Sequence, residues 1–450
     1  MSAVIQSGPV ATAVSPLATG EPARAIAFDG AGPVPLARFL AQVRGLAAQL
    51  PPGPAVNLCE DRYRFLVAFC AVAARGHATL LPPSRAPEAV AEVLRRHPEA
   101  YCLGDGPPAD ARQVVLPACL PEADGPVPRV ADDAVVAIGY TSGSTGTPQA
   151  HPKTWGSFRA STAQNLAALQ PLLAGAPLRV VATVPPQHMY GMELSVLLPL
   201  LGDGAVHVAR PLFPADVAAA LHVSGTPCLL VTTPVHLRAL LAADAALPPL
   251  AGIVSATAPL PQALAEAAEA RFGCEVRELF GSTETCVIAQ RRTAREEAWT
   301  AFPGVRLQPQ PDGTAVHAAQ LARAVVLADL VELLDAEPVR FRLCGRQADL
   351  LEIAGKRASL GDLTRQLQAV DGVHDAVVFQ LEPGAGGVRR IAALVVAPDV
   401  DDASILRALR GRVDPVFLPR PLRRVAALPR NETGKLPRAE LLRLLQCEKA

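Results

Sequence analysis

Between residues 25 and 280, short apolar runs alternate with helix-spaced stretches, and this alternation is what most restricts the fold. Helical spacing over Leu36–Leu50, Tyr63–Ala74 and Ala86–Arg96 is interrupted by strand-like runs at Ala55–Leu58 and Ala78–Leu81. The pattern resumes with Arg179–Val184 (strand), Met192–Leu201 (helix), Val206–Val208 (strand) and Pro214–Leu221 (helix). It continues through Cys228–Val231 (strand), Pro234–Ala242 (helix), Gly252–Ser255 (strand), Pro261–Phe272 (helix) and Glu275–Leu279 (strand). Strands separated by helices need crossover connections, which predicts an α/β fold with mostly parallel sheets and flanking helices.

The C-terminal stretch reads differently. Ser359-x-x-Asp362 resembles a capping box opening a helix that runs to about Val370 and stops at Gly372. Strands are predicted at Asp375–Leu381 and Ile391–Val396, a helix at Ser404–Val413, and a last helix with Pro437 in its first turn. The expected organisation is a disordered leader over 1–24, a large domain over 25–345, and a small α+β domain over 346–450.

The chain has 450 residues, half of them hydrophobic, without an uninterrupted run of the ~20 apolar residues that a membrane span needs. Formal net charge is zero, which argues against a nucleic-acid binder. Nine cysteines form no C-x-x-C pair and nine histidines show no ligand spacing, so a zinc site is not expected and a reducing cytoplasm is. Only Lys153, Lys356, Lys435 and Lys449 are lysines among 42 basic residues. A lysine retained in so arginine-rich a chain is a candidate for a place where a planar fork does not fit, the alternative being chance survival, as suits Lys449 beside the C-terminus.

The stretch YTSGSTGTPQAHPKTW, Tyr140 to Trp155, follows an apolar run and precedes a helical pattern. Gly143 and Gly146 let backbone N–H groups converge, and Thr141, Ser142, Ser144 and Thr145 add hydroxyls. A following helix N-terminus would add its positive end. No G-K-[ST] follows the glycines, so this is not a Walker A loop, and the pattern alone suits an ordinary turn equally well.

Further blocks follow in order: SATAPL (Ser255–Leu260), LFGSTET (Leu279–Thr285), LADLVEL (Leu327–Leu333), GRQADLLEIAGKR (Gly345–Arg357) and LPRNETGKLPR (Leu428–Arg438). Together with the loop they resemble the adenylate-forming superfamily of acyl-CoA synthetases, aryl-CoA ligases and peptide-synthetase adenylation domains. The resemblance implies that a carboxylate and ATP form an acyl-adenylate, which a thiol then attacks. It implies a phosphate-binding role for the loop, Mg²⁺ on Glu284, and the α-phosphate against Thr283. Phe280, with Gly281 and Ser282 beside it, would stack on adenine, and Ala258 and Pro259 would line its other side. Asp329 would take the ribose hydroxyls, and Arg346 and Arg357 the ribose or phosphates. Lys435 would bridge the substrate carboxylate and the α-phosphate.

The acid pocket is expected among His188, Met189, Tyr190, Val231–His236, Ser255, Ala256, Thr257 and Cys286–Ile288. These small and moderately apolar residues suit a compact acid, aromatic or short-chain. His188 suits the carboxylate pocket and a satisfied core position equally.

The sequence departs from the family pattern in places. Gln149 stands where the loop lysine is usual, Trp155 where histidine is common, and Ala348 where the hinge aspartate is usual. Lys153 is therefore expected to reach the phosphates in place of a lysine at 149. TPQxHPKxW most resembles stand-alone ligases of bacterial aryl-polyene and xanthomonadin pigment pathways, which load 4-hydroxybenzoate or a related acid onto an acyl carrier protein. Ten basic residues gather near the C-terminus, at Arg407, Arg410, Arg412, Arg420, Arg423, Arg424, Arg430, Lys435, Arg438 and Arg443. They form either a solvated surface or a docking face for an acidic carrier protein or coenzyme A. Three functions stand: a carrier-protein ligase, a ligase using free CoA, and a catalytically silent adenylate-binding regulator.

Overall fold

The computed structural model describes residues 13–106, 112–141, 149–244, 246–346, 350–353, 356–381, 390–431 and 434–446. The chain divides into two compact units, one taking 1–297, 302–304 and 318–323, the other 298–301, 305–317 and 324–450.

The first unit is the α/β body that the alternation predicts. Its larger sheet runs, in spatial order, Cys286–Arg291, Val276–Ser282, Leu250–Ser255, Cys228–Thr232, Arg179–Ala182, Ala205–His207, Ala25–Asp29 and Gly32–Pro35. Pairing is parallel from Val276–Ser282 to Ala25–Asp29 and antiparallel at the two ends. A second sheet orders Gln149–Thr154, Val135–Thr141, Thr79–Leu81, Ala55–Asn57, Tyr101–Gly104 and Gln113–Val115. The helix Arg62–Ala74 is buried over nearly its whole circumference. It has no polar face because it packs in the core, with Phe65, Leu66, Phe69 and Cys70 fully enclosed.

Three sequence expectations need correction. Residues 13–24 are part of the fold: Val14–Pro16 pairs antiparallel with Arg129–Ala131, and Leu17 is fully buried. The partner strand lies far along the chain, so local composition gave no sign of it. The stretch up to Trp155, read as loop, instead contains a strand, Gln149–Thr154, antiparallel to Val135–Thr141. The helix begins at Trp155, with Thr154 Oγ1 accepting from Ser157 N at 3.1 Å. The loop is therefore closed by a hairpin, and the helix end is six strand residues away from it. Finally, the helix predicted from Met192 begins at Met189 and is broken by a π turn over Glu193–Leu197 before resuming at Leu198–Leu201. Short π segments of this kind concentrate near functional sites.

In the second unit, Trp299–Ala301, Val339–Arg346 and Asp329–Ala336 pair antiparallel. Ser359 caps the helix Leu360–Gln368 by accepting from Asp362 N at 3.0 Å, as the capping pattern predicts. That helix and Asp402–Arg410 cover the strands Asp375–Gln380 and Ile391–Val396 through Leu363, Leu367, Val378, Val395, Ile405 and Leu409. Gly345, at the expected hinge, has φ +101°; Ala348 lies outside the described residues.

Candidate active site

Three separate stretches of the first unit meet at Gly139, near the end of the strand Val135–Thr141. A Cβ there would come within 2.6 Å of Thr283 Cγ2 and 3.2 Å of Met189 Cε. The strand leading into the glycine-rich loop, the Thr283–Glu284 turn and the His188–Tyr190 segment are thus in contact, though far apart in sequence. A side chain at 139 would have to push both of these side-chain ends aside. Thr141, the last described residue before the loop, accepts or donates a hydrogen bond with His151 Nε2 at 3.0 Å. Ser142, Gly143, Ser144, Thr145 and Gly146 lie outside the described residues.

The hairpin strand positions two side chains that the sequence treats as loop. Strand alternation puts Gln149, His151 and Lys153 on one face, exposed at Gln149 where the strand begins, half-buried at His151 and buried at Lys153. His151 Nε2 lies 3.5 Å from Glu284 Oε1. Burial pushes the His151 imidazole below its ordinary pKa, opposed by Glu284 and reinforced by Lys153. Lys153 is buried, and its ammonium donates to the Glu284 carbonyl at 2.6 Å.

The turn carrying Thr283 and Glu284 is held by Thr285. Its hydroxyl accepts from Ser282 N at 3.3 Å and donates to the Cys286 carbonyl at 2.8 Å. Cys286 takes φ +62°, a conformation that costs a non-glycine residue about 1 kcal/mol or more. Burial pushes its thiol up to about 12, away from the thiolate form that a nucleophile needs. Ser282, Thr283 and Glu284 are half-buried, as is Phe280 on the preceding strand, while Gly281 is exposed.

His188 is half-buried and caps the helix at Met189. Its Nδ1 accepts from Tyr190 N at 3.3 Å, which leaves Nε2 to carry the proton in the neutral ring. Tyr190 is buried, and its hydroxyl reaches the carbonyls of Thr232 at 3.2 Å and Val254 at 2.9 Å. That hydroxyl ties the segment to two parallel strand ends, the edge where α/β sheets bind ligands. Next to Val254, the Ser255 hydroxyl is buried with no hydrogen-bond partner among the described residues. Ala256 is buried, Thr257 takes φ +77°, Ala258 is half-buried and Pro259 exposed. His236 Nδ1 lies 3.0 Å from Thr233 Oγ1 and 3.2 Å from Thr183 Oγ1. Burial, with Arg210 nearby, lowers its pKa.

In the second unit, Asp329 stands opposite Arg346 in an antiparallel ladder, and Arg357 opposite Glu352. Lys435 is exposed on a turn closed by Asn431: its backbone N–H donates to Asn431 Oδ1 at 2.9 Å and its carbonyl accepts from Asn431 N at 2.9 Å.

Against known proteins, the family described as AMP-binding enzyme matches residues 44–317, well over half of the chain. The chain belongs to the AMP-binding enzyme family. With CoA ligases among its relatives, it is an AMP-forming acid–thiol ligase that activates an acid with ATP, which sets aside the silent-regulator reading. It is 34% identical over 303 residues to a 4-coumarate–CoA ligase of Rhodobacter capsulatus, covering 66% of this chain and 74% of the relative. It is 26% identical over 409 residues to a 3-hydroxybenzoate/4-hydroxybenzoate–CoA ligase of Thauera aromatica, covering 79% and 75%. Its fold matches the o-succinylbenzoate CoA synthetase of Bacillus subtilis, solved with its acyl-adenylate, at TM-score 0.77 and 18% identity over 95% of this chain and 96% of that one. The family match ends before Asp329, so the assignments of Asp329, Arg346, Arg357 and Lys435 rest on their motifs.

Sequence reasoning missed His151 and Glu193 in this AMP-binding enzyme. The available signals were a His-x-Lys pair at strand spacing and a lone carboxylate in the apolar run MELSVLLPLL.

Proposed function

We propose that this enzyme activates a compact aromatic acid of the 4-hydroxybenzoate type and transfers the acyl group to the phosphopantetheine thiol of an acyl carrier protein. The convergence at Gly139 is the observation that carries the site, because it unites the phosphate loop's base with the Thr283–Glu284 turn and the His188 pocket wall. The wall's small residues, and the hydroxybenzoate and coumarate ligases among the relatives, support an aryl acid.

In this reading the hydroxyls and amides of the loop hold the ATP phosphates, Thr283 meets the α-phosphate, and Lys435 draws the carboxylate toward it. Charge concentrated on a transferring phosphoryl group is met by fixed donors and cations rather than by acid–base chemistry. Among the described residues no cluster of three or more metal-ligating side chains exists. One half-buried carboxylate, Glu284, fits Mg²⁺, which typically takes a protein carboxylate or two and completes its shell with phosphates and water. The ion would neutralise phosphate charge. Phe280, Ala258 and Pro259 would enclose the adenine, and Asp329, Arg346 and Arg357 would meet the ribose or phosphates.

The carrier-protein reading draws on the basic face. Arg430 is committed to Asp375 at 2.9 Å, Arg424 to Asp402 at 2.9 Å and Arg443 to Glu440 at 2.8 Å. Arg407, Arg410, Arg412 and Arg420 remain exposed and form no ion pair among the described residues. A cluster of this kind suits an acidic protein surface. Free CoA is the second reading, favoured by the relatives, which are CoA ligases. Reversing Arg407 and Arg410 together to Glu is expected to raise the carrier-protein KM about tenfold and to leave acid-dependent ATP–pyrophosphate exchange unchanged. Steady-state loading kinetics at low and high salt measure this, and an unchanged KM would remove this face as the docking surface.

A further inference from the structure

The Thr283–Glu284 turn is gripped from outside by two buried groups of opposite charge. At one side, the Lys153 ammonium donates to the Glu284 carbonyl at 2.6 Å. At the other, the Glu193 carboxylate accepts from Val287 N at 3.1 and 3.2 Å. Neither charge is on the turn itself: Lys153 comes from the hairpin strand beyond the loop, and Glu193 from the π turn after the His188 segment. Glu193 is in turn held by the Ser161 hydroxyl and by Asn165 Nδ2 at 3.1 Å, both from the helix Trp155–Leu173.

Both side chains are almost wholly enclosed, Lys153 at 4% exposure and Glu193 at 1%. Burying a charge is expensive, and packed apolar residues would serve stability as well or better. The turn is also cramped: a Cβ at Gly281 would lie 2.3 Å from the Cys286 carbonyl oxygen. Its backbone therefore has little freedom once its two ends are held. Each charge also lies within electrostatic reach of the other.

We propose that Lys153 and Glu193 are a coupled pair of positioning residues that fix the Thr283–Glu284 backbone for the nucleotide, with Lys153 acting through the Glu284 carbonyl. This differs from the direct phosphate contact that the sequence suggests for Lys153. It rests on the reading that Thr283 and Glu284 meet the α-phosphate and Mg²⁺.

The test compares Lys153→Met, Glu193→Gln and the double variant in acid-dependent ATP–pyrophosphate exchange, with Glu284→Gln as the control for the reading beneath. Far-UV circular dichroism and thermal midpoints establish the folded fraction, and rates are taken well below the lowest midpoint. The expected result is a loss of up to about a hundredfold in kcat for each single variant, with ATP KM within about twofold. The double variant is expected to be no worse than the poorer single, the signature of residues acting as a unit. A raised ATP KM with intact kcat in Lys153→Met, additive with Glu193→Gln, would assign Lys153 to the phosphates and overturn the pair. Unchanged kcat per folded molecule would overturn it too, leaving both residues structural. Should Lys153→Met not fold, the near-isosteric Glu193→Gln decides by its kcat–KM split alone. Full exchange in Glu284→Gln would instead remove the underlying reading of the turn.

Discussion

Replacing Lys435 by Ala is expected to lower acid-dependent ATP–pyrophosphate exchange by about 10²–10³-fold while the thermal midpoint stays within about 1 °C. Structure and role separate cleanly here. The side chain is exposed, and the turn beneath it is closed by the backbone and by Asn431. The neighbouring Arg430 fixes the turn's flank, with Nε on Asp375 Oδ2 at 3.0 Å and Nη1 on the Gly434 carbonyl at 2.9 Å. Deleting the amine therefore removes a charge from an exposed position. Lys435→Arg is expected to rescue poorly, because a rigid fork does not replace a point charge between two anions. Exchange and calorimetry on the same preparations check both halves. Wild-type exchange in Lys435→Ala would remove the lysine from the first half-reaction.

A second large effect is expected in stability. Arg62 is fully buried, and its Nη2 donates to the carbonyls of Ala182 at 2.9 Å and Val184 at 2.8 Å, while Nη1 donates to the Ser195 hydroxyl. Burial, with Arg210 adding, lowers its pKa to about 9. Arg62→Ala would leave two carbonyls without donors and a large void in the core. Each orphaned acceptor costs about 1–3 kcal/mol and the void adds to it, so a loss of about 3–5 kcal/mol is expected. Ala182 and Val184 flank the strand end that leads into the His188 segment, so the KM for the acid should rise as well. Urea unfolding with wild-type m-value checks the first claim. A loss under about 1 kcal/mol would mean that these carbonyls find other partners.

How much of this was legible in the sequence differs by element. The parallel strands and their helices were readable because they are buried on both faces or amphipathic, and Ser359 announced its own helix by its spacing to Asp362. The strand Gln149–Thr154 was not readable: it carries Pro152, a histidine and a lysine, and its pairing depends on a hairpin whose loop looks like a helix lead-in. The strand Val14–Pro16 was hidden for the related reason that its partner is remote in sequence.

In the candidate site, the motif blocks pointed to the Thr283–Glu284 stretch, and the His188 segment was singled out apart from them. Their contact at Gly139 and the buried grip of Lys153 and Glu193 needed three dimensions. Lys153 shows the difference. Its rarity drew attention to it, but only the fold shows that its side chain is buried and reaches the Glu284 carbonyl.

The central claim, activation of an aryl acid for transfer to a carrier protein, is tested most directly by intact mass. The enzyme is incubated with ATP, Mg²⁺ and 4-hydroxybenzoate, offered purified holo-acyl carrier protein and free CoA in parallel. The account predicts that the carrier protein gains the mass of the acid less one water, only when ATP is present, and that CoA is acylated slowly or not at all. Rapid formation of the CoA thioester with the carrier protein unmodified would contradict it.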